Sequence, residues 1–304
     1  IRYPPALLPV QAVEQEAESG IGIYTSNIPF PLLACWQIAI MPSYTDQTGN
    51  TIQLDHIPKR IVSLVPSQTE LLYTLGLEEE VVGITKFCVH PQEWFRNKQR
   101  IGGTKNIHLN QVLDLRPDLI IAGKEENVAE QVLSLSREVP VWTSDVANLY
   151  DALQMIRNIG MITGKTREAD NLCSTINAGF GRLQAITPPA TAVYLIWKDP
   201  YMTVGGDTFI HDMMARCGIS NLFAGSKRYP QTSLAAIRNM GCRLLLLSSE
   251  PYPFSDKDIN EIRSFLPETR IELVDGEYFS WYGSRLQLAP KYFANLVDRL
   301  QQDF

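Results

Sequence analysis

Cys88 and His90 stand two residues apart in the segment Thr85-Lys86-Phe87-Cys88-Val89-His90-Pro91. Strand-like spacing would put both side chains on one face, where thiolate and imidazole suit iron, cobalt or zinc. Two ligands do not make a site, and His56, His108 and His211 add no HxxxH or HExxH pair. His90 therefore has two readings, an axial contact to a metal held inside a bound chelate or a hydrogen bond to its own loop ahead of Pro91. Glu125-Glu126 suits acid–base work, and suits equally well the positive end of a helix. Ser67 lies at a strand-to-helix turn, yet Pro66 and Gln68 replace the glycines of a nucleophile elbow, and with Glu70 it reads as a capping box. Gly102-Gly103 and Gly205-Gly206 lack the context of a dinucleotide or phosphate loop. The expectation is a protein that is not an enzyme and needs no covalently held cofactor.

A second group of residues suits binding. Phe87, Trp197, Tyr201, Tyr229, Phe279, Trp281 and Tyr282 cluster in short segments that also carry Lys198, Arg228 and Arg285. Aromatic rings bury much area at little rotamer cost, and the cations suit carboxylates or other anionic groups at a ligand's rim. Such loops fit a large, flat, partly apolar ligand. The plain alternative for any one ring is that it covers a sheet edge.

These segments fall where strands give way to helices. Arg60–Val65, Val81–Ile84, Pro117–Ala122 and Val139–Trp142 read as strands of a first α/β lobe. Ala192–Trp197, Ile219–Phe223, Cys242–Leu247 and Ile271–Val274 repeat the plan, with helices over Thr208–Cys217 and Asp256–Phe265. Strands alternating with helices predict parallel-rich sheets covered on both faces. Between the lobes, Leu149, Leu153, Ile156, Ile159, Ala169, Leu172, Ile176 and Phe180 keep the spacing of one apolar helix face. A single, slightly interrupted helix over residues 147–185, about 50 Å long at 1.5 Å per residue, is expected to join the lobes, with Gly160 and Thr163-Gly164 as points where it bends or briefly breaks. The expected organisation is an extension over 1–50, an N-terminal lobe over 51–146, the linking helix and a C-terminal lobe over 186–304. Ligand binds where strands end in open α/β sheets, so each lobe offers one wall of a cleft.

Composition excludes other classes. A net charge of −6 without basic runs argues against nucleic acid. Five cysteines with no CxxC pair write neither a disulfide framework nor a zinc module. The stretch Ile28–Met41 is too short and too proline-broken to span a bilayer. Leu32-Leu33-Ala34-Cys35 superficially resembles a lipoprotein cleavage box, but Glu14, Glu16 and Glu18 stand where a secretion signal has its basic and apolar regions.

Several segments carry a family resemblance. Ile61-Val62-Ser63-Leu64-Val65-Pro66-Ser67-Gln68-Thr69-Glu70, Ile101-Gly102-Gly103, Leu113–Ile120 and Tyr201-Met202-Thr203-Val204-Gly205-Gly206 resemble the signature segments of ABC-transporter substrate-binding proteins for cobalamin, iron-siderophore and haem. The match runs in order from about Ile57 to the C-terminus, and is closest to the cobalamin-binding group of these class III periplasmic binding proteins, the helical-backbone metal receptors. The resemblance implies two Rossmann-like lobes joined by a rigid helix, limited hinge motion, and a cleft that binds cobalamin, haem or a ferric siderophore without transforming it. By position it places Phe87, Trp197, Tyr201 and Tyr229 against ligand. Thr104 stands where the cobalamin group has an aromatic, and Asn110 and Ala235 stand where the family has the acids that meet permease arginines. A monomer, periplasmic or extracytoplasmic by family, is expected, serving an ABC permease. The missing docking acids and secretion signal leave a second expectation, a soluble intracellular carrier or sensor on the same fold.

Overall fold

The computed structural model describes residues 42–302. The Leu32–Cys35 motif and most of the expected extension lie outside the described residues. The chain enters through an antiparallel hairpin of β1 (Ser43–Thr45) and β2 (Thr51–Gln53). Asp46 accepts from Thr48 N at 2.9 Å and Asn50 N at 2.8 Å, which shapes the turn. Its other oxygen accepts from Thr143 N at 3.2 Å. The tail of the expected extension is thereby fixed to the first lobe.

The first lobe continues through β3 (Ile61–Ser63), α1 (Pro66–Thr74), β4 (Val81–Ile84), α2 (Gln92–Asn97), β5 (Gln99–Arg100), β6 (Gly102–Gly103), β7 (Asn106–Ile107), α3 (Leu109–Asp114), β8 (Leu119–Gly123), α4 (Ala129–Ser136) and β9 (Val141–Ser144). Its main sheet has the order β5-β4-β3-β8-β9, every pairing parallel. β3, β8 and β9 are buried along their whole length, as strands covered on both faces must be. The capping box at Ser67 and Glu70 does not form. α1 starts one residue before Ser67, with Pro66 in its first turn, where a missing N–H costs nothing. Ser67 is buried inside the helix, and Glu70 turns instead to Arg285 of the other lobe.

The expected single linking helix is two helices folded against one another. α5 (Leu149–Ile162) starts on Asn148, whose side chain accepts from Asp151 N at 3.0 Å. It ends at Gly164, whose φ of +70° is the left-handed C-terminal stop that glycine adopts without penalty. α6 (Thr166–Gly181) then runs back. Arg157 reaches Asp170 at 3.5 Å, and Cys173 Sγ lies 3.5 Å from Leu153 O. In one straight helix these pairs would stand roughly 20 to 30 Å apart. Gly160 makes the crossing possible, because a Cβ there would collide with that of Ala169.

The second lobe comprises β10 (Ala190–Trp197), β11 (Met202–Thr203), α7 (Phe209–Arg216), β12 (Ile219–Asn221), α8 (Leu234–Asn239), β13 (Leu244–Ser248), α9 (Asp256–Phe265), β14 (Arg270–Val274), α10 (Gly276–Ser280), a 3-10 turn at Ser284–Gln287 and α11 (Ala289–Gln301). β12, β10, β13 and β14 pair in parallel in that order, matching β4, β3, β8 and β9 of the first lobe. Only β11 runs antiparallel, on the later half of β10. The fold is two parallel-rich α/β lobes. Leu71, Trp142, Ile156, Ile176, Tyr194, Phe279 and Phe293 belong to one apolar cluster that runs from lobe to lobe through α5 and α6. Among the described residues no helix is long and apolar enough to cross a membrane.

Candidate ligand site between the two lobes

The C-terminal strand ends of the first lobe meet the second lobe at a polar seam. The Tyr282 hydroxyl hydrogen-bonds the side chain of Ser144, the last residue of β9, and Gln68 of α1 donates to the same hydroxyl oxygen. Gly283 lies so close to the first lobe that a Cβ would sit 2.6 Å from Ser67 O. On one side of this floor, the Arg285 guanidinium grips Glu70 of α1 at 3.0 and 2.7 Å and also pairs with Glu277. Glu277 in turn lies 3.3 Å from His90 Nε2, and the His90 ring meets Trp281 edge-on at 5.5 Å. On another side, Arg228 binds Glu125 through both nitrogens, one at 2.6 Å, and the Tyr229 hydroxyl donates to the same carboxylate at 3.3 Å. Charge-assisted forks of this kind join the lobes at two places.

The residues expected to touch ligand differ in how far the structure exposes them. Phe87, 51% exposed after β4, and Trp197, 40% exposed at the end of β10, present open rings. Tyr201 and Tyr229 are half-buried, while Trp281 and Tyr282 are buried within the seam. Cys88 and Phe279 are corrections, since both point away from the cleft. Cys88 is fully buried, its sulfur 3.0 Å from Thr69 Oγ1 and 3.1 Å from Thr85 Oγ1, and burial pushes the thiol up. The Cys88–His90 segment is irregular backbone rather than strand, Cys88 turns inward to Thr69 and Thr85, and only His90 reaches the seam. Phe279 is fully buried against Tyr194 and Phe293, with ring centroids at 5.1 and 4.8 Å. Among the described residues no three His, Cys, Asp or Glu side chains are placed to hold a metal.

The cations read as rim groups are all committed to protein acids. Arg228 and Arg285 form the bridges above, and Lys198 joins Asp258 at 2.9 Å and Glu261 at 2.8 Å. Near the seam, Glu250 and Glu126 are not paired with a cation in this way. Burial holds the Glu250 carboxyl above the usual carboxylate range, although Ser280 and the Trp281 indole donate to it at 2.6 and 2.9 Å. Burial likewise raises Glu126, with Lys105 opposing the shift and Glu125 adding to it. These acids were legible in part. Glu125-Glu126 stood out as a carboxylate pair, but Glu250, Glu70 and Glu277 did not. Glu250 follows β13 much as Glu125-Glu126 follow β8, so aligning the two lobes would have found it.

The profile of the periplasmic binding protein family matches residues 61–270, more than half of the chain. The chain belongs to that family. The binding protein is 24% identical over 257 residues to the vitamin B12-binding protein of Pectobacterium atrosepticum, a match covering 81% of this chain and 90% of that one. It is 27% identical over 203 residues to an uncharacterised ABC transporter substrate-binding lipoprotein, YvrC, of Bacillus subtilis, covering 63% and 64% respectively. Among solved structures, the periplasmic haem-binding protein RhuT of Roseiflexus in its apo form superposes with a TM-score of 0.66 at 23% identity, covering 80% and 98%. At that identity the likeness establishes the two-lobed fold alone. The relatives are substrate-binding proteins, not enzymes, and nothing in them indicates a covalent cofactor.

Proposed function

We propose that the binding protein is the extracytoplasmic substrate-binding component of an ABC importer, and that it holds a large metal chelate between its lobes. A corrinoid is the first choice, ahead of a ferric siderophore or haem. The observation that carries this reading is the pair of open rings, Phe87 just after β4 of the first lobe and Trp197 at the end of β10 of the second, while most other large apolar side chains are buried. Solvent-facing aromatics at strand ends, on lobes tied by ion pairs at the seam, suit a broad planar ligand that is gripped from two sides. The corrinoid preference rests on the vitamin B12-binding relative. The exposed positions Asn110 and Ala235, in the first turns of α3 and α8, carry no charge, so permease docking would use other residues of those surfaces.

Tryptophan fluorescence tests this directly, since among the described residues Trp197 is exposed whereas Trp94, Trp142 and Trp281 are buried. Cyanocobalamin, haemin and ferrichrome should be titrated separately. Saturable quenching by one of them with a Kd of about 1 μM or tighter supports the reading, and flat fluorescence with all three removes it.

A further inference from the structure

Glu126 is a carboxylate at the lobe interface that nothing in the fold occupies. Its neighbour Glu125 is consumed by Arg228 and Tyr229 of the opposite lobe. Glu126 itself has no hydrogen bond or ion pair to its side chain among the described residues, and it is only partly covered. It lies within electrostatic reach of Tyr229, Tyr282 and Glu250 on the second lobe and of Cys88 and Lys105 on the first, next in the chain to Glu125, which bridges the lobes. A half-buried acid is costly unless it is hydrogen-bonded, and its partner here is not supplied by the protein.

The surrounding charges narrow what that partner is. Arg228 and Arg285 are saturated by Glu125, Glu70 and Glu277, and Lys198 and Lys124 by Asp258, Glu261 and Asp145. Lys105 gives its ammonium to the Glu125 carbonyl at 2.6 Å, and Lys86 lies over the Phe87 ring at 5.0 Å. At the seam the forks of Arg228 and Arg285 are both taken by protein carboxylates, while Glu126 and Glu250 present acceptors.

We propose, resting on the chelate-binding reading above, that Glu126 is the specificity-determining residue of the site. It accepts hydrogen bonds from amide or ammonium groups on the periphery of the chelate, and selects these over chelates that carry carboxylates at the same place. The predicted ligand class is a chelate edged with carboxamides or amines.

Paired probes test it. Cyanocobalamin is compared with its monocarboxylic acids, in which one peripheral amide has become a carboxylate, and ferrioxamine B with its N-succinyl derivative, with haemin alongside. In the pair that binds, the amide or ammonium form should bind about tenfold or more tighter than at least one carboxylate form, as for burying an acid against an acid. Glu126→Gln, which keeps size and one acceptor, should cut that ratio to about threefold or less. A wild-type ratio near one, a ratio that Glu126→Gln leaves unchanged, or tightest binding by haemin overturns the inference while chelate binding stands. Failure of every probe to bind overturns the chelate reading and this inference with it.

Discussion

Replacing Arg285 by methionine removes the cation that joins the second lobe to α1. The side chain is only 12% exposed, its guanidinium lies 4.8 Å over the Trp281 ring, and it holds Glu70 and Glu277, which are 19% and 21% exposed. Without it, two carboxylates remain together at the lobe interface with His90 as the nearest base. Removing one partner of a buried pair costs about 3 to 5 kcal/mol, chiefly for the charge left behind, and the partial exposure of both acids puts the expected loss near the lower end, about 3 kcal/mol. Methionine fills most of the volume, so little of that loss comes from a cavity. Urea unfolding monitored by circular dichroism reads the change. Adding Glu70→Gln to Arg285→Met should return about half of the loss, because one stranded charge is gone. A loss below about 1 kcal/mol for Arg285→Met would refute the reasoning, since that is the scale of an exposed pair.

Trp197→Ala and Tyr229→Ala should each weaken ligand by roughly 1 to 3 kcal/mol, read by titration, as for truncating an aromatic anchor. Unchanged affinity in both removes the cleft assignment. Burial raises the folded-state acids of Glu126 and Glu250, so the stability linked to them is fully present below the ordinary glutamate range and is lost as pH rises through their folded values. The urea midpoint should therefore fall as pH rises above the ordinary glutamate range, and Glu250→Gln should flatten that slope. An unaltered slope contradicts it. Gly160→Val should destabilise by about 1 to 3 kcal/mol in the same assay, because its side chain would separate α5 from α6. A neutral result would mean that the hairpin is not packed as described. The thiols of Cys88, Cys173, Cys217 and Cys242 are buried, with Cys173 pushed up to about 11, so site-resolved alkylation at neutral pH should label them only after unfolding.

The strands and lobe repeat were legible because buried parallel strands are short apolar runs and helices end at readable stops. Leu244–Ser248 and Leu119–Gly123 fall within a residue or two of their apolar runs, and Asp256–Phe265 matches its expected helix at both ends. The linker was misread for a physical reason. α5 and α6 both turn apolar faces to the same shared core, so their periods join smoothly, and only Gly160, Thr163 and Gly164 record the reversal. Cys88 was misplaced because the two-residue alternation applies to strands, whereas Thr69 and Thr85 hold its sulfur inward from irregular backbone. Phe279 was misplaced because a five-residue helix, Gly276–Ser280, turns that ring into the core while its neighbours reach the seam. The bridges were illegible in principle, since Arg285 and Glu70 are 215 residues apart and Arg228 and Glu125 are 103 apart. Nothing local in the sequence encodes those pairings.

The most direct test of the central claim is the absorbance of the binding protein isolated from its own host, followed by the cyanocobalamin titration on protein stripped of any chromophore. A chelate chromophore that co-purifies at near one per chain, or saturable quenching of tryptophan fluorescence by cyanocobalamin that Trp197→Ala weakens, is the predicted result. Colourless protein whose fluorescence stays flat with cyanocobalamin, haemin and ferrichrome alike would contradict the account.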